Sequence, residues 1–122
     1  MNRLTNIFKL MSDETRLRMI MLLNREALCV CEISGILNIP QPRISQNLSK
    51  LRDMNLVEDQ RKEKFVYYSL KKEDKVFSDI IQDIENDLQS YPQLLTDRER
   101  ISEKDIYLSQ CGANLSLSLI HI

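Results

Sequence analysis

A chain of 122 residues suits one small domain, and 43% hydrophobic residues with only two glycines and three prolines fit a folded core. No apolar run is long enough to span a bilayer, no charged-then-apolar leader is present, and three cysteines are an odd number for a secreted disulfide framework. A cytoplasmic protein without a membrane partner is therefore expected. The formal net charge of −1 hides an uneven spread: five Lys/Arg against four Asp/Glu over residues 1–40, eight against four over 41–72, and four against ten over 73–122. A basic middle beside an acidic C-terminal part suits a nucleic-acid face on one side of the molecule.

Taken in order, Leu4, Ile7, Phe8, Leu10 and Met11 have helical spacing and open the chain with a first helix. Ser12-Asp13-Glu14 supplies an N-cap and first-turn carboxylates for a second, running to about Asn24 with Leu17, Ile20, Met21 and Leu23 inward. Arg16 and Arg18 are expected to face solvent. Leu28 to Leu37 reads as a short apolar helix, Asn38-Ile39-Pro40 as a tight turn, and Gln41 onward as a helix with Ile44, Leu48 and Leu51 on one buried stripe. Its other surface carries Gln41, Arg43, Ser45, Gln46, Ser49 and Lys50, which can hydrogen-bond bases and phosphates. This pattern predicts a helix-turn-helix whose second helix reads the major groove.

Residues 56–60 and 64–70 read as two strands, the second rich in strand formers at Phe65-Val66-Tyr67-Tyr68. Gln60 to Lys64 would form the polar tip of a wing, placing Arg61, Lys62 and Lys64 near phosphate oxygens. From Glu73 a further helix is predicted, with Val76, Phe77, Ile80, Ile81, Ile84 and Leu88 on a stripe too wide for a small domain to bury alone, stopped by Tyr91-Pro92. Thr96-Asp97-Arg98-Glu99 has the form of a capping box opening a last, mostly polar helix. Leu117 to Ile122 is the translation of CTGTCTCTTATACACATC, a transposon end used to prepare sequencing libraries, so these six residues are expected to be an assembly artefact.

Four stretches carry a family resemblance: Thr15-Arg16-Leu17-Arg18, Leu28-Cys29-Val30-Cys31-Glu32-Ile33, Gln41-Pro42-Arg43-Ile44-Ser45-Gln46-Asn47-Leu48 and Phe65-Val66-Tyr67-Tyr68-Ser69-Leu70. Their order and spacing resemble the arsenic-repressor (ArsR/SmtB) family of dimeric winged-helix metal sensors over roughly residues 4–88. The resemblance implies a mainly α fold with a small β-hairpin, a winged helix-turn-helix, and a homodimer formed by the first helix and the one after the wing. It implies an inverted-repeat operator in double-stranded DNA, and in that family Asn47 stands at a place often held by His. It also implies that the Arg of Thr15-Arg16-Leu17-Arg18 supports the fold and neighbouring phosphates, a simple solvated charge being the equal alternative. The expected division is a DNA-binding and dimerisation domain over 1–91, an extension over 92–116 and the artefact over 117–122.

Cys29 and Cys31 are the candidate metal ligands, the alternative being that Leu28-Cys29-Val30-Cys31 is simply core, since free cysteine is among the most buried residue types. Their place at a helix start favours thiolate, and it matches the thiolate position of the resembled family. Two residues apart in a regular helix point about 200° apart, so gripping one ion would unwind the helix that leads into the reading helix. Soft thiolates favour As(III) or Sb(III), each satisfied by two or three sulfurs, over a closed four-ligand zinc site. The arsenic-sensing pattern has a third cysteine where this chain has Ser34, leaving Cys111 as the candidate third ligand. Cadmium/lead sensors add cysteines before this point and the chain has none there. The zinc sensors' histidines are lacking, since Ile81 follows Asp79 where His would stand.

The reading is a repressor that releases its operator on binding arsenite or antimonite, with no catalytic residues and no prosthetic group. Alternatives are the same fold sensing cadmium, lead or oxidation through Cys29 and Cys31, a helical dimerisation module that does not bind DNA, and a dithiol oxidoreductase. The last lacks a Cys-x-x-Cys, a glycine-rich loop and a substrate site.

Overall fold

The computed structural model describes residues 2–110; Cys111 and the 117–122 segment lie outside the described residues. Helix α1 (Asn2–Met11) buries Ile7, Leu10 and Met11 but leaves Phe8 half in solvent. Asp13 caps α2 (Glu14–Arg25) by accepting the Arg16 N–H at 3.0 Å, as expected from Ser12-Asp13-Glu14. Five consecutive residues of α2, Met19 to Leu23, are buried, so this helix is apolar all round at its centre and the others pack on it.

Leu28 and Cys29 do not belong to the next helix. They form a short strand, β1 (Leu28–Cys29), antiparallel to β3 (Phe65–Leu70), with Leu28 opposite Tyr68 and Cys29 opposite Tyr67. Helix α3 (Val30–Leu37) begins after Cys29 and ends at Asn38, which adopts the left-handed conformation at φ 57° that closes a helix C-terminus. Helix α4 (Gln41–Asp53) starts beyond Pro40 with Pro42 in its first turn, where a missing N–H is harmless. Ile44, Leu48 and Leu51 are buried as the stripe requires.

Strand β2 (Val57–Lys62) pairs with β3 in six-residue register, from Val57 opposite Leu70 to Lys62 opposite Phe65. β2 runs two residues further than expected while β3 starts one residue later, and the tip shrinks to Glu63 and Lys64. Glu63 takes φ 58° to make so tight a reversal. The sheet order is β1-β3-β2. Helix α5 (Lys75–Asn86) is capped by Asp74, which accepts the Phe77 N–H at 3.1 Å. It stops before Leu88, which sits in a separate 3₁₀ turn, Leu88–Ser90.

The expected capping box at Thr96 is not a helix start. Helix α6 (Pro92–Glu99) opens at Pro92, whose fixed φ suits a first helical position, and Thr96 to Glu99 is its last turn. Asp97 is turned inward, 2% exposed, and takes two hydrogen bonds from Arg18 at 2.8 and 2.9 Å. A 3₁₀ turn, Arg100–Glu103, and helical residues 104–110 follow. This C-terminal segment lies on α2 and α3. Arg98 grips Glu85 and the Met21 carbonyl, Lys104 pairs with Glu26, and Arg100 donates to the Gly35 carbonyl at 3.2 Å. Gly35 is where α3 needs to lack a side chain: a Cβ there would lie 2.1 Å from Cγ of Tyr107.

Candidate nucleic-acid interface and cysteine pair

Because the apolar stripe of α4 points into the core, its other side faces outward by helical geometry. Gln41, Arg43, Ser45, Gln46, Ser49 and Lys50 are all exposed there, and Arg61, Lys62 and Lys64 are exposed on the wing. The structure thus brings the expected polar residues onto one helix face and one hairpin. An Arg52–Asp59 ion pair of 2.9 Å links the end of α4 to β2. The Arg3 guanidinium donates to the Met54 carbonyl, just past α4, and to Asp74 at the start of α5.

Three arginines depart from the expected pattern. Arg16 and Arg18 are not solvated cations. Arg18 holds Asp97, and Arg16 donates to the Leu10 carbonyl at 2.9 Å and to Asn47 Oδ1 at 3.1 Å. Arg43 reaches back rather than outward: its Nη2 donates to Thr15 Oγ1 at 3.0 Å. Asn47 is 6% exposed and faces the protein, donating to the Arg43 carbonyl at 2.9 Å. Sequence periodicity marks Asn47 as one turn before Leu51 and one residue before Leu48, a signal that it lies close to the buried stripe.

The cysteines sit differently from a pair inside one helix. Cys29 is the N-cap residue of α3 with extended backbone, φ −95° and ψ 170°, and Cys31 is in the first turn. The Glu32 carboxylate accepts the Cys29 N–H at 3.0 Å while the Cys29 sulfur faces the Glu32 N–H, a reciprocal capping box with sulfur in the hydroxyl's place. Cys29 is free and 2% exposed. Burial pushes its thiol up to about 11, with the adjacent Glu32 carboxylate adding to the rise. The helix start was expected to favour thiolate, but desolvation outweighs the dipole here. Glu32, also 2% exposed, is raised above the usual carboxylate range by burial.

Cys31 is half-buried. Gln41 Nε2, on the first residue of α4, lies 3.7 Å from its sulfur. Among the described residues no cluster of three His, Cys, Asp or Glu side chains could hold a metal ion. By donor chemistry the pair suits a thiophilic ion taking two sulfurs. Among the described residues no helix is long and apolar enough to cross a membrane.

Residues 13–59 match the family model described as bacterial regulatory protein, arsR family. The arsenic resistance transcriptional regulator ArsR1 of Pseudomonas putida is 46% identical over 65 residues, 52% of this chain and 51% of that protein. The transcriptional repressor SdpR of Bacillus subtilis is 37% identical over 67 residues, 55% of this chain and 74% of that protein. A cadmium resistance regulatory protein, CadC of Listeria innocua, is 34% identical over 68 residues, 55% of this chain and 57% of that protein. The match spans about half the length of the arsenic regulator. Among solved structures, reduced HlyU from Vibrio cholerae aligns over 70% of this chain and 87% of its own, with a TM-score of 0.64 and 27% identity. The homodimeric winged helix-turn-helix domain of Mb0332 from Mycobacterium bovis aligns over 74% and 85% with a TM-score of 0.60; at 23% identity it bears on the fold alone. These relatives are regulators of transcription and not enzymes, and the shared architecture is the winged helix-turn-helix. The chain belongs to the arsR family of bacterial regulatory proteins.

Proposed function

We propose that this chain is a homodimeric transcriptional repressor that binds an inverted-repeat operator in double-stranded DNA and releases it when trivalent arsenic or antimony binds Cys29 and Cys31. The observation that carries the DNA reading is the exposed polar face of α4 beside a cationic wing, with every apolar residue of that helix turned away from it. Gln46 and Arg43 are the base readers by chemistry, since an amide suits adenine and a guanidinium suits guanine. Ser45, Ser49, Lys50 and the wing cations would position the duplex through phosphates. Dimerisation is supported by apolar surface on the two helices that Arg3 and Asp74 tie together: Phe8 of α1 is 51% exposed and Val76 of α5 is 45% exposed. A two-fold pair of reading helices suits a palindromic site.

The inducer assignment rests on the arsenic regulators among the relatives and on two thiols at the threshold of the helix-turn-helix. Binding would require Cys29 deprotonated out of its cap. Because Cys29 is already extended, only the first turn of α3 has to open, less than two cysteines within a regular helix would demand. Cys31 also touches Gln41, so a change at its sulfur acts on the first residue of the reading helix. Cys111 as a third ligand lies outside the described residues.

A gel shift of the full chain on its own promoter, against a scrambled duplex, tests the repressor reading. A shift confined to the promoter is expected. Equal shifts on both duplexes, or none, would leave a dimerisation module that does not read DNA.

A further inference from the structure

Two of the four buried polar side chains among the described residues, Thr15 and Asn47, belong to one hydrogen-bonded chain of which the functional reading uses only Arg43. Arg16 lies at its centre. Its Nε donates to the Leu10 carbonyl at the end of α1, and its Nη1 donates to Asn47 Oδ1 on α4. Asn47 Nδ2 in turn donates to the Arg43 carbonyl, and Arg43 Nη2 donates to Thr15 Oγ1 on α2. The amide orientation is fixed by chemistry: a guanidinium only donates and a carbonyl only accepts, so Asn47 has to present oxygen to Arg16 and nitrogen to Arg43. Burying an amide is costly unless both ends are satisfied, and here both are.

We propose that Arg16 and Asn47 are positioning residues that lock the reading helix α4 against α1 and α2, and so set the preference for operator over other DNA without touching it. This rests on the DNA-binding reading above. The geometry accounts for the role in two ways. The link joins α1, which carries the exposed Phe8, to α4, so it fixes the reading helix relative to the face offered to a second subunit. It also ends on Arg43, whose guanidinium is held at Thr15 beside the groove-facing surface and is thereby partly pre-organised.

The test is a double-mutant cycle by fluorescence anisotropy, using the full chain on its own promoter and on a scrambled duplex, well below the melting temperature of every variant. Arg16→Gln and Asn47→Ala are each expected to weaken promoter binding roughly ten-fold and scrambled binding less. The double variant should lose no more than the worse single one, because both break the same link. The slope of affinity against salt should stay within about one charge of the parent's. Should Asn47→Ala melt too low, Thr15→Val removes another member of the chain and is expected to reduce the promoter preference in the same direction. Additive losses would overturn the positioning role, as would unchanged promoter preference in the folded variants. So would an Arg16→Gln loss equal on both duplexes with the slope reduced by about one, which would make Arg16 a phosphate contact. A parent chain with no promoter preference would instead sink the DNA-binding reading, and the positioning role with it.

Discussion

Cys29 ends a strand and caps a helix at once, and burial there governs its chemistry. Its thiol, raised to about 11, stays protonated in the folded chain while the same group ionises near 8.5 when unfolded. The stability it contributes is therefore complete below about pH 8.5 and is lost as pH rises toward 11. Native chain at pH 8 should alkylate at Cys29 only as fast as it opens, and denaturant should abolish the protection; rapid native labelling would contradict this burial. Arg43→Ala is expected to weaken promoter binding more than binding to random DNA, as anisotropy on both duplexes would show. Equal losses would reduce Arg43 to a phosphate contact. At this scale the α4 stripe was legible, because period 3.6 places Ile44, Leu48 and Leu51 together. The contacts of Arg16 and Asn47 were not, because their partners come from other elements: the Leu10 carbonyl on α1 and the two residues' own contact across 31 positions.

The helix-turn-helix and the wing were readable from local signals: Pro40 and Pro42 at a helix start, and a β-branched and aromatic strand after a basic turn. Three boundaries were not, each for a tertiary reason. Leu28 and Cys29 leave the helix because β3 offers ladder partners, the wing tip tightens because the pairing runs on to Lys62, and Asp97 abandons a capping role for Arg18. Breaking that last pair should be costly, since Asp97→Ala strands a mostly buried guanidinium, with a loss of about 3 kcal/mol expected in urea denaturation. At Gly35 the sign depends on Tyr107. Alanine in mid-helix ordinarily stabilises, but here it meets the ring. Gly35→Ala alone is expected to lower the melting temperature, whereas in a Tyr107→Ala background the same change should raise it. A rise in both backgrounds would show that the C-terminal segment does not dock on α3 as described.

At the scale of the whole molecule, the basic and acidic parts of the sequence take different places. The basic middle of the sequence became the α4 surface and the wing, as the charge count suggested, while part of the acidic C-terminal stretch is spent on internal pairs such as Arg98 with Glu85. The Arg98 guanidinium holds the Glu85 carboxyl below its usual range, with Asn24 assisting. The stability this contributes is present above the unfolded value of about 4.3 and is lost as pH falls below it. Glu85→Gln should therefore flatten the acid limb of a urea-midpoint profile between pH 7 and 3; an unchanged limb would remove the pair from the account. Phe8→Glu should shift the chain toward monomer in analytical ultracentrifugation, with promoter affinity falling alongside.

The central claim is operator binding governed by thiols, and one titration addresses it: anisotropy of the reduced full chain on labelled promoter DNA at fixed salt, with arsenite added stepwise. The account predicts tight binding that arsenite reverses in the parent and fails to reverse in Cys29→Ser. Tight binding that arsenite leaves untouched, with cadmium or peroxide releasing it instead, would contradict the arsenic assignment.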